Sequence, residues 1–300
     1  MVKTDKILVT GATGFIGRNL VRRLEELGHT VYPFSRSTGH DVIDKNSFAP
    51  FLEKGIGIVF HLAGLTFVPD SWKATDSFYA VNTLGTQQVL EFCRAAQARM
   101  VYVSAYVYGM PQYLPIDENH PVAPNNPYAH SKWLGEELCR FYAENMGVKS
   151  IILRPFNLYG PGQDDRFLIP TLLRQIRETS AITVKDELPK RDYLHVDDFV
   201  EACSLAMMHD EVFNIFNVGS GASHSVYQLI EMFRSGFRSD IPFTSLHERR
   251  QNEIPDTVAD ISAIGRSVGW SPKTNLRDEI IKMSHCNQSG CSTFLLEITP

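Results

Sequence analysis

Three side chains of this sequence, Ser104, Tyr128 and Lys132, have the chemistry to move a proton together. Tyr128 and Lys132 stand four apart at the start of a helical pattern, so they share one helix face. Ser104 closes an apolar run that reads as a strand, and open α/β sheets hold ligands at the carboxyl ends of their strands. A phenol with a pKa of about 10 is a poor base at neutral pH. A nearby ammonium favours the phenolate and lowers that value, so the pair could relay a proton at a hydroxyl while a cofactor moves hydride. Tyr and Lys at this spacing occur in many helices, so the assignment rests on what surrounds them.

The surroundings begin with Gly11-Ala12-Thr13-Gly14-Phe15-Ile16-Gly17, three glycines between a predicted strand and a predicted helix. The first glycine permits a tight turn and the second lets backbone approach a pyrophosphate. The third lets the helix pack closely, and the phosphates meet the positive end of that helix. A dinucleotide site also needs a ribose reader about 20 residues further on, at the end of the second strand. Here that place holds Ser35-Arg36 and no carboxylate. A guanidinium pairs with a 2′-phosphate through two N–H bonds, where a carboxylate would repel it. NADP(H) is therefore favoured as cofactor, with NAD(H) as the alternative.

These residues must be carried by a scaffold, and the apolar runs describe one. Residues 6–10, 31–35, 57–62, 100–104 and 150–154 read as strands. Helical patterns over 15–27, 80–96 and 128–146 separate them, with Ile16, Leu20, Leu24 and Leu27 on one face of the first. Nearly all-apolar strands alternating with helices predict an α/β fold, a doubly wound parallel sheet of Rossmann type covered on both faces. After Pro155 the elements shorten. A dinucleotide-binding domain is expected over 1–155, with 191–216 returning to it, and a smaller substrate-binding α/β lobe over 156–284. The tail 285–300 shows no period.

Composition narrows the function. The 300 residues are 43% hydrophobic and 21% charged, with a formal net charge of −5. That is ordinary globular composition, and it disfavours a nucleic-acid binder, which needs clustered excess Lys and Arg. No apolar run is long enough to span a bilayer, and the N-terminus lacks a signal-peptide pattern. The five cysteines, 93, 139, 203, 286 and 291, form no Cys-x-x-Cys pair, so neither a disulfide framework nor a zinc site is expected. His61 reads as a core histidine, and Trp72, Phe78 and Tyr79 as packing. A cytoplasmic enzyme is the expectation.

From Lys6 to Ile280 the chain resembles extended short-chain dehydrogenases/reductases of the NAD(P)-dependent epimerase/dehydratase family, which act on nucleotide sugars. The resemblance rests on the glycine motif, Asp41-Val42, His61-Leu-Ala-Gly64, Asn82-x-x-Gly85-Thr86, Ser104 ahead of Val107-Tyr-Gly109, and Tyr128-Ala-x-Ser-Lys132. It continues through Arg154-Pro-Phe-Asn157, Gly160-Pro-Gly162, Arg191-Asp-Tyr-Leu-His-Val-Asp197, Asn217-Val-Gly219 and Gly269-Trp-Ser-Pro272. It implies that Ser104, Tyr128 and Lys132 are catalytic and that Lys132 also holds the nicotinamide ribose. It implies that Asp41 and Val42 border the adenine, that Leu62, Ala63 and Gly64 line the cofactor cleft, and that Asn82 supports the cofactor side. Thr66, Asn157, Arg191 and Arg249 or Arg250 would contact the nucleotide sugar. A homodimer through the helix bearing Trp133, Leu134, Leu138 and Phe141 is also implied.

Three reactions are open to such a family. Dehydratases of this type carry adjacent Asp and Glu just before Val-Tyr-Gly, where this chain has Ala105-Tyr106; without that pair, acid help for water loss is missing. A 4-epimerase keeps NAD bound through two half-reactions, which Ser35-Arg36 does not suit. Reduction of a nucleotide-linked 4-keto-6-deoxyhexose by NADPH suits it better. Phe34-Ser-Arg36, Val68-Pro-Asp-Ser-Trp72 and Glu253-Ile-Pro255 resemble bacterial GDP-4-keto-6-deoxymannose reductases. The alternatives are the 4-epimerase and a catalytically idle NADP-binding regulator.

Overall fold

Alternation of apolar residues along short strands builds a sheet in the computed structural model, which describes residues 5–249 and 252–285, the last two as backbone only. The chain begins with β1 (Lys6–Thr10), α1 (Phe15–Glu26), β2 (Thr30–Phe34) and β3 (Ile58–His61). There follow α2 (Val68–Ser71), α3 (Thr75–Tyr79), a π-helical turn (Ala80–Leu84), α4 (Gly85–Ala96), β4 (Arg99–Val103), α5 (Pro127–Asn145) and β5 (Ser150–Pro155). Next come β6 (Asn157–Tyr159), α6 (Leu168–Glu178), β7 (Ile182–Val184), β8 (Lys190–His195), α7 (Val196–Ala206) and β9 (Phe213–Val218). The described chain closes with β10 (Ser223–Ser225), α8 (Val226–Phe237), β11 (Phe243–Ser245), α9 (Ser262–Val268) and α10 (Leu276–His285).

Six strands form one parallel sheet in the order β2-β1-β3-β4-β5-β9. The register puts Val9 beside Phe60, Phe60 beside Val101, and Val101 beside Ile151. That row packs on Leu20 and Leu24 of α1 and Phe199 of α7. One residue along, Leu8, Val59, Met100 and Ile152 face the other way, onto Val89 and Leu90 of α4 and Cys139 of α5. Both faces are therefore covered, and each such side chain contributes about 1.5–3 kcal/mol on burial. This is the Rossmann-type α/β fold expected from the strand pattern.

Several details differ from the pattern. Leu27 lies just past the end of α1 and is exposed, because Gly28 turns the chain away with φ +85°. The helix expected over 80–96 begins earlier, at Thr75, and passes through the π-helical turn. Trp72 is 62% exposed and is not packing, whereas Phe78 is buried. Within 191–216, β8 joins a separate three-stranded sheet with β6 and β10, while α7 lies on α1 and β9 adds to the central sheet beside β5. Beyond it, α6, α8 and α10 share their own apolar core around Leu172, Ile230, Phe233 and Ile280. Cys93, Cys139 and Cys203 are buried and free; Cys286, Cys291 and most of the tail lie outside the described residues.

Candidate active site

The sheet order reverses at β1, with β2 on one side and β3 on the other. A crevice opens beyond the carboxyl ends of strands at such a point, and here it is a cleft of about 1370 Å³. Gly11, following β1, has φ +68°, and a Cβ there would come within 2.8 Å of the Ala63 nitrogen. A Cβ on Gly17 would stand 2.1 Å from the Gly11 carbonyl oxygen. The glycines therefore keep α1 pressed against the turn while the turn approaches the segment after β3. Gly11, Thr13, Gly14, Phe15, Ile16 and Gly17 all line the cleft, with Leu62, Ala63 and Gly64 opposite.

At the far end of β2 a short 3-10 turn (Arg36–Thr38) is capped by Ser35 and ended by Gly39 at φ +83°. It gathers hydroxyls: Ser35 Oγ is 2.9 Å from Ser37 Oγ, which donates to Thr13 Oγ1 at 3.1 Å. Ser35, Arg36, Ser37, Asp41 and Val42 line this end of the cleft. Among the described residues Arg36 makes no ion pair, and it is exposed. A guanidinium and hydroxyls lining one end of a cleft suit a phosphate ester. Ser37 and His40, which also line this end, carried no motif that would mark them in sequence.

At the other end Ser104, Tyr128 and Lys132 line one wall. Asn126 caps α5 by accepting from the Ala129 nitrogen at 2.9 Å, and Pro127 opens the helix, an arrangement that fixes its first turn. Tyr128 and Lys132 therefore stand one turn apart, facing Ser104 just beyond β4. Ser104 is 3% exposed, and its Oγ has no hydrogen-bond partner within the protein. A buried hydroxyl without a partner is costly, and in a cleft it fits a ligand oxygen. Lys132 is 4% exposed, with its ammonium 4.1 Å from the centre of the Tyr102 ring. Burial pushes Lys132 down to about 7, against opposing contributions from Cys139 and Glu136. Burial pushes the Tyr128 phenol above its usual range. The Lys132 ammonium does not offset that rise, contrary to the expectation from their spacing.

Other expected residues fall differently. Asn82, in the π-helical turn, does not face the cleft. Its amide accepts from the Leu65 nitrogen at 2.9 Å and donates to the Leu65 carbonyl and to Ser131 Oγ. It braces the wall from behind. His61 is fully buried, bridging Thr10 Oγ1 at 2.7 Å and Thr86 Oγ1 at 3.0 Å. Thr66, Asn157 and Arg191 line the cleft. Arg191 is engaged there by Glu253 and by the Ile254 carbonyl. Arg249 lies outside the cleft, its side chain 76% exposed and 3.9 Å from Asp186; Arg250 lies outside the described residues. The wall at Phe67, Leu168, Val184 and Lys185 also escaped sequence reading, since ordinary packing types carry no spacing signal.

A parallel sheet with a glycine turn at its switch point defines a Rossmann-type α/β protein with a dinucleotide-shaped cleft. A family model described as the NAD dependent epimerase/dehydratase family matches residues 7–219, and the chain belongs to that family. A UDP-glucose 4-epimerase from Lactobacillus helveticus is 30% identical over 313 residues, covering 92% of this chain and 94% of the relative. A GDP-6-deoxy-D-mannose reductase from Pseudomonas aeruginosa is 29% identical over 290 residues, covering 92% and 95%. Among solved structures, RMD from Pseudomonas aeruginosa complexed with NADPH superposes with a TM-score of 0.87 at 28% identity, covering 94% of this chain and 98% of that one. Among the described residues no helix is long and apolar enough to cross a membrane.

Proposed function

We propose that this protein reduces a nucleotide-diphosphate-linked 4-keto-6-deoxyhexose to the 6-deoxyhexose with NADPH. The observation that carries the choice is the turn after β2, where Arg36 and a hydroxyl cluster stand at the cleft end and neither Ser35 nor Arg36, the two residues that follow the strand, is a carboxylate. A bound nicotinamide would supply the hydride to C4. Tyr128 donates the proton to the oxygen developing at C4, and Ser104 Oγ hydrogen-bonds the same oxygen. Lys132 holds the ribose beside Gly64. Arg191 and Asn157 orient the nucleotide sugar, Arg191 by charge-assisted bonds to the diphosphate. Ala105 and Tyr106, where dehydratases of this type carry an acid pair, leave no carboxylate beside Ser104 to expel water.

The second reading is a 4-epimerase, favoured by the 30% identity to a UDP-glucose 4-epimerase. Incubation with NADPH and a panel of GDP- and dTDP-linked 4-keto-6-deoxy sugars separates the two, read by absorbance of the reduced nicotinamide. Consumption with one of the panel supports the reductase. No consumption, together with interconversion of UDP-hexoses without added cofactor, supports the epimerase. The same proposal includes a cytoplasmic homodimer through α5, where Phe141 is 55% exposed; sedimentation at micromolar concentration tests the dimer.

A further inference from the structure

Behind the wall that carries Ser104, Tyr128 and Lys132 lies a buried charged network. Arg154 of β5 and Glu136 of α5 are 3% and 2% exposed. Arg154 donates from Nε to both Glu136 oxygens, at 3.0 and 3.2 Å, and from Nη2 to Oε2 at 2.5 Å. Its remaining Nη1 donates to the Tyr108 hydroxyl at 2.8 Å. Tyr108 in turn donates to Asn217 Oδ1 at 2.6 Å, and Asn217 Nδ2 donates to the Ile116 carbonyl at 2.9 Å. Burial opposes the charge on Arg154, yet its bonds to Glu136 outweigh that and hold it protonated.

The network touches both carriers of the proposed catalytic set. Ser104 donates its backbone N–H to the carbonyl of Leu153, the residue before Arg154, at 2.8 Å. Tyr108 ends the short segment that follows Ser104. Glu136 lies one helical turn after Lys132 on the same face of α5. Replacing a buried ion pair by apolar side chains of similar volume is often neutral or stabilising, so stability alone gives little reason for a charged pair here. We propose that Arg154 is a positioning residue: its guanidinium fixes the segment after Ser104 against α5 and so sets Ser104 relative to Tyr128 and Lys132. This inference rests on the assignment of those three residues under the proposed function.

Lys132 is the group through which the effect is read. The titratable groups facing it are His61 from β3, Tyr102 from β4, and Tyr128, Glu136 and Cys139 from α5 itself. Glu136 favours its charged form, so loss of the pair moves the Lys132 titration to lower pH.

The experiment compares Arg154→Met/Glu136→Leu with the parent by Tm, kcat, Kd for NADPH, and NMR titration of isotope-labelled lysine, Lys132 being assigned with Lys132→Met. The double variant is expected to keep a Tm close to the parent's. Its kcat should fall by about tenfold to a hundredfold, the range for misplaced reacting groups, and its Lys132 titration should move down. Parent kcat and an unmoved titration at parent Tm would overturn the proposal. Should the double variant not fold, Tyr108→Phe decides, since it keeps the ion pair and removes one hydroxyl. A severalfold lower kcat at unchanged Kd for NADPH supports the proposal, and parent kcat overturns it. The titration needs no turnover. If kcat falls in the double variant while Tyr128→Phe stays fully active, the assignment of Tyr128 fails and the positioning by Arg154 stands.

Discussion

The two ends of the cleft are built by opposite means. At the reacting end, Ser104 and Lys132 are almost fully buried, and the helix and strands carrying them are tied by Asn82, Tyr102 and the Arg154–Glu136 pair. At the other end, Arg36 stands exposed on a three-residue turn that is held by its own hydroxyls. On the proposed function, chemistry that tolerates little displacement sits where several elements hold the backbone, and cofactor choice sits on a single exposed residue. A substitution at the first end should therefore cost rate, and one at the second should cost selectivity.

The largest break belongs to the reacting end. Tyr128→Phe keeps the ring and removes the transferable proton, so turnover should fall by about 10²–10⁴-fold, the usual worth of a general acid, while NADPH still binds. Steady-state kinetics beside a cofactor titration checks this, and near-normal turnover would remove Tyr128 from the mechanism. Between the two ends lies the glycine turn. Gly17→Ala brings a methyl to 2.1 Å from the Gly11 carbonyl oxygen, and such overpacking costs about 1–3 kcal/mol. A lowered Tm together with loss of NADPH binding is expected; an unchanged Tm would mean that α1 moves away freely.

At the exposed end, Arg36→Ala should weaken NADPH binding by about 1.5 kcal/mol, the low side of the range for a charge-assisted hydrogen bond, and leave NADH unaffected. Equal losses for both cofactors would show that Arg36 does not read the 2′-phosphate. The last effect is a pH slope. Below about pH 7 the folded and unfolded chains both carry the Lys132 proton, so the burial penalty is present in full and constant. Between about 7 and 10.5 only the unfolded chain binds that proton, so stability rises with pH. Lys132→Met should remove this rise, measured as denaturation midpoints across that window; identical slopes in parent and variant would refute the placement.

The same contrast explains what could be read before the fold was known. The glycine spacing and the Tyr128–Lys132 pair were legible because each is local, within one turn or one helix. The strand periods foretold the parallel sheet because both its faces are buried. Asn82 supports the cleft wall from behind, through Leu65 and Ser131, which are brought to it by a π-helical turn that leaves no sequence period. Trp72 looked like packing by type, yet its position on a short connecting segment leaves it in solvent. The wall at Val184–Lys185 and the Arg154–Tyr108–Asn217 chain join residues far apart in sequence, and ordinary types at such separations give no signal.

On the proposed function, hydride passes from an exchangeable NADPH to C4 of a nucleotide-linked keto sugar. Deuterium can be followed from NADPH labelled at its transferable position, with whichever 4-keto-6-deoxy sugar reacts. One deuterium at C4 of the product is expected for each NADPH consumed, from protein purified with little bound cofactor. Protein isolated with near-stoichiometric NAD, interconverting UDP-hexoses with no NADPH spent and no deuterium in the product, would contradict it.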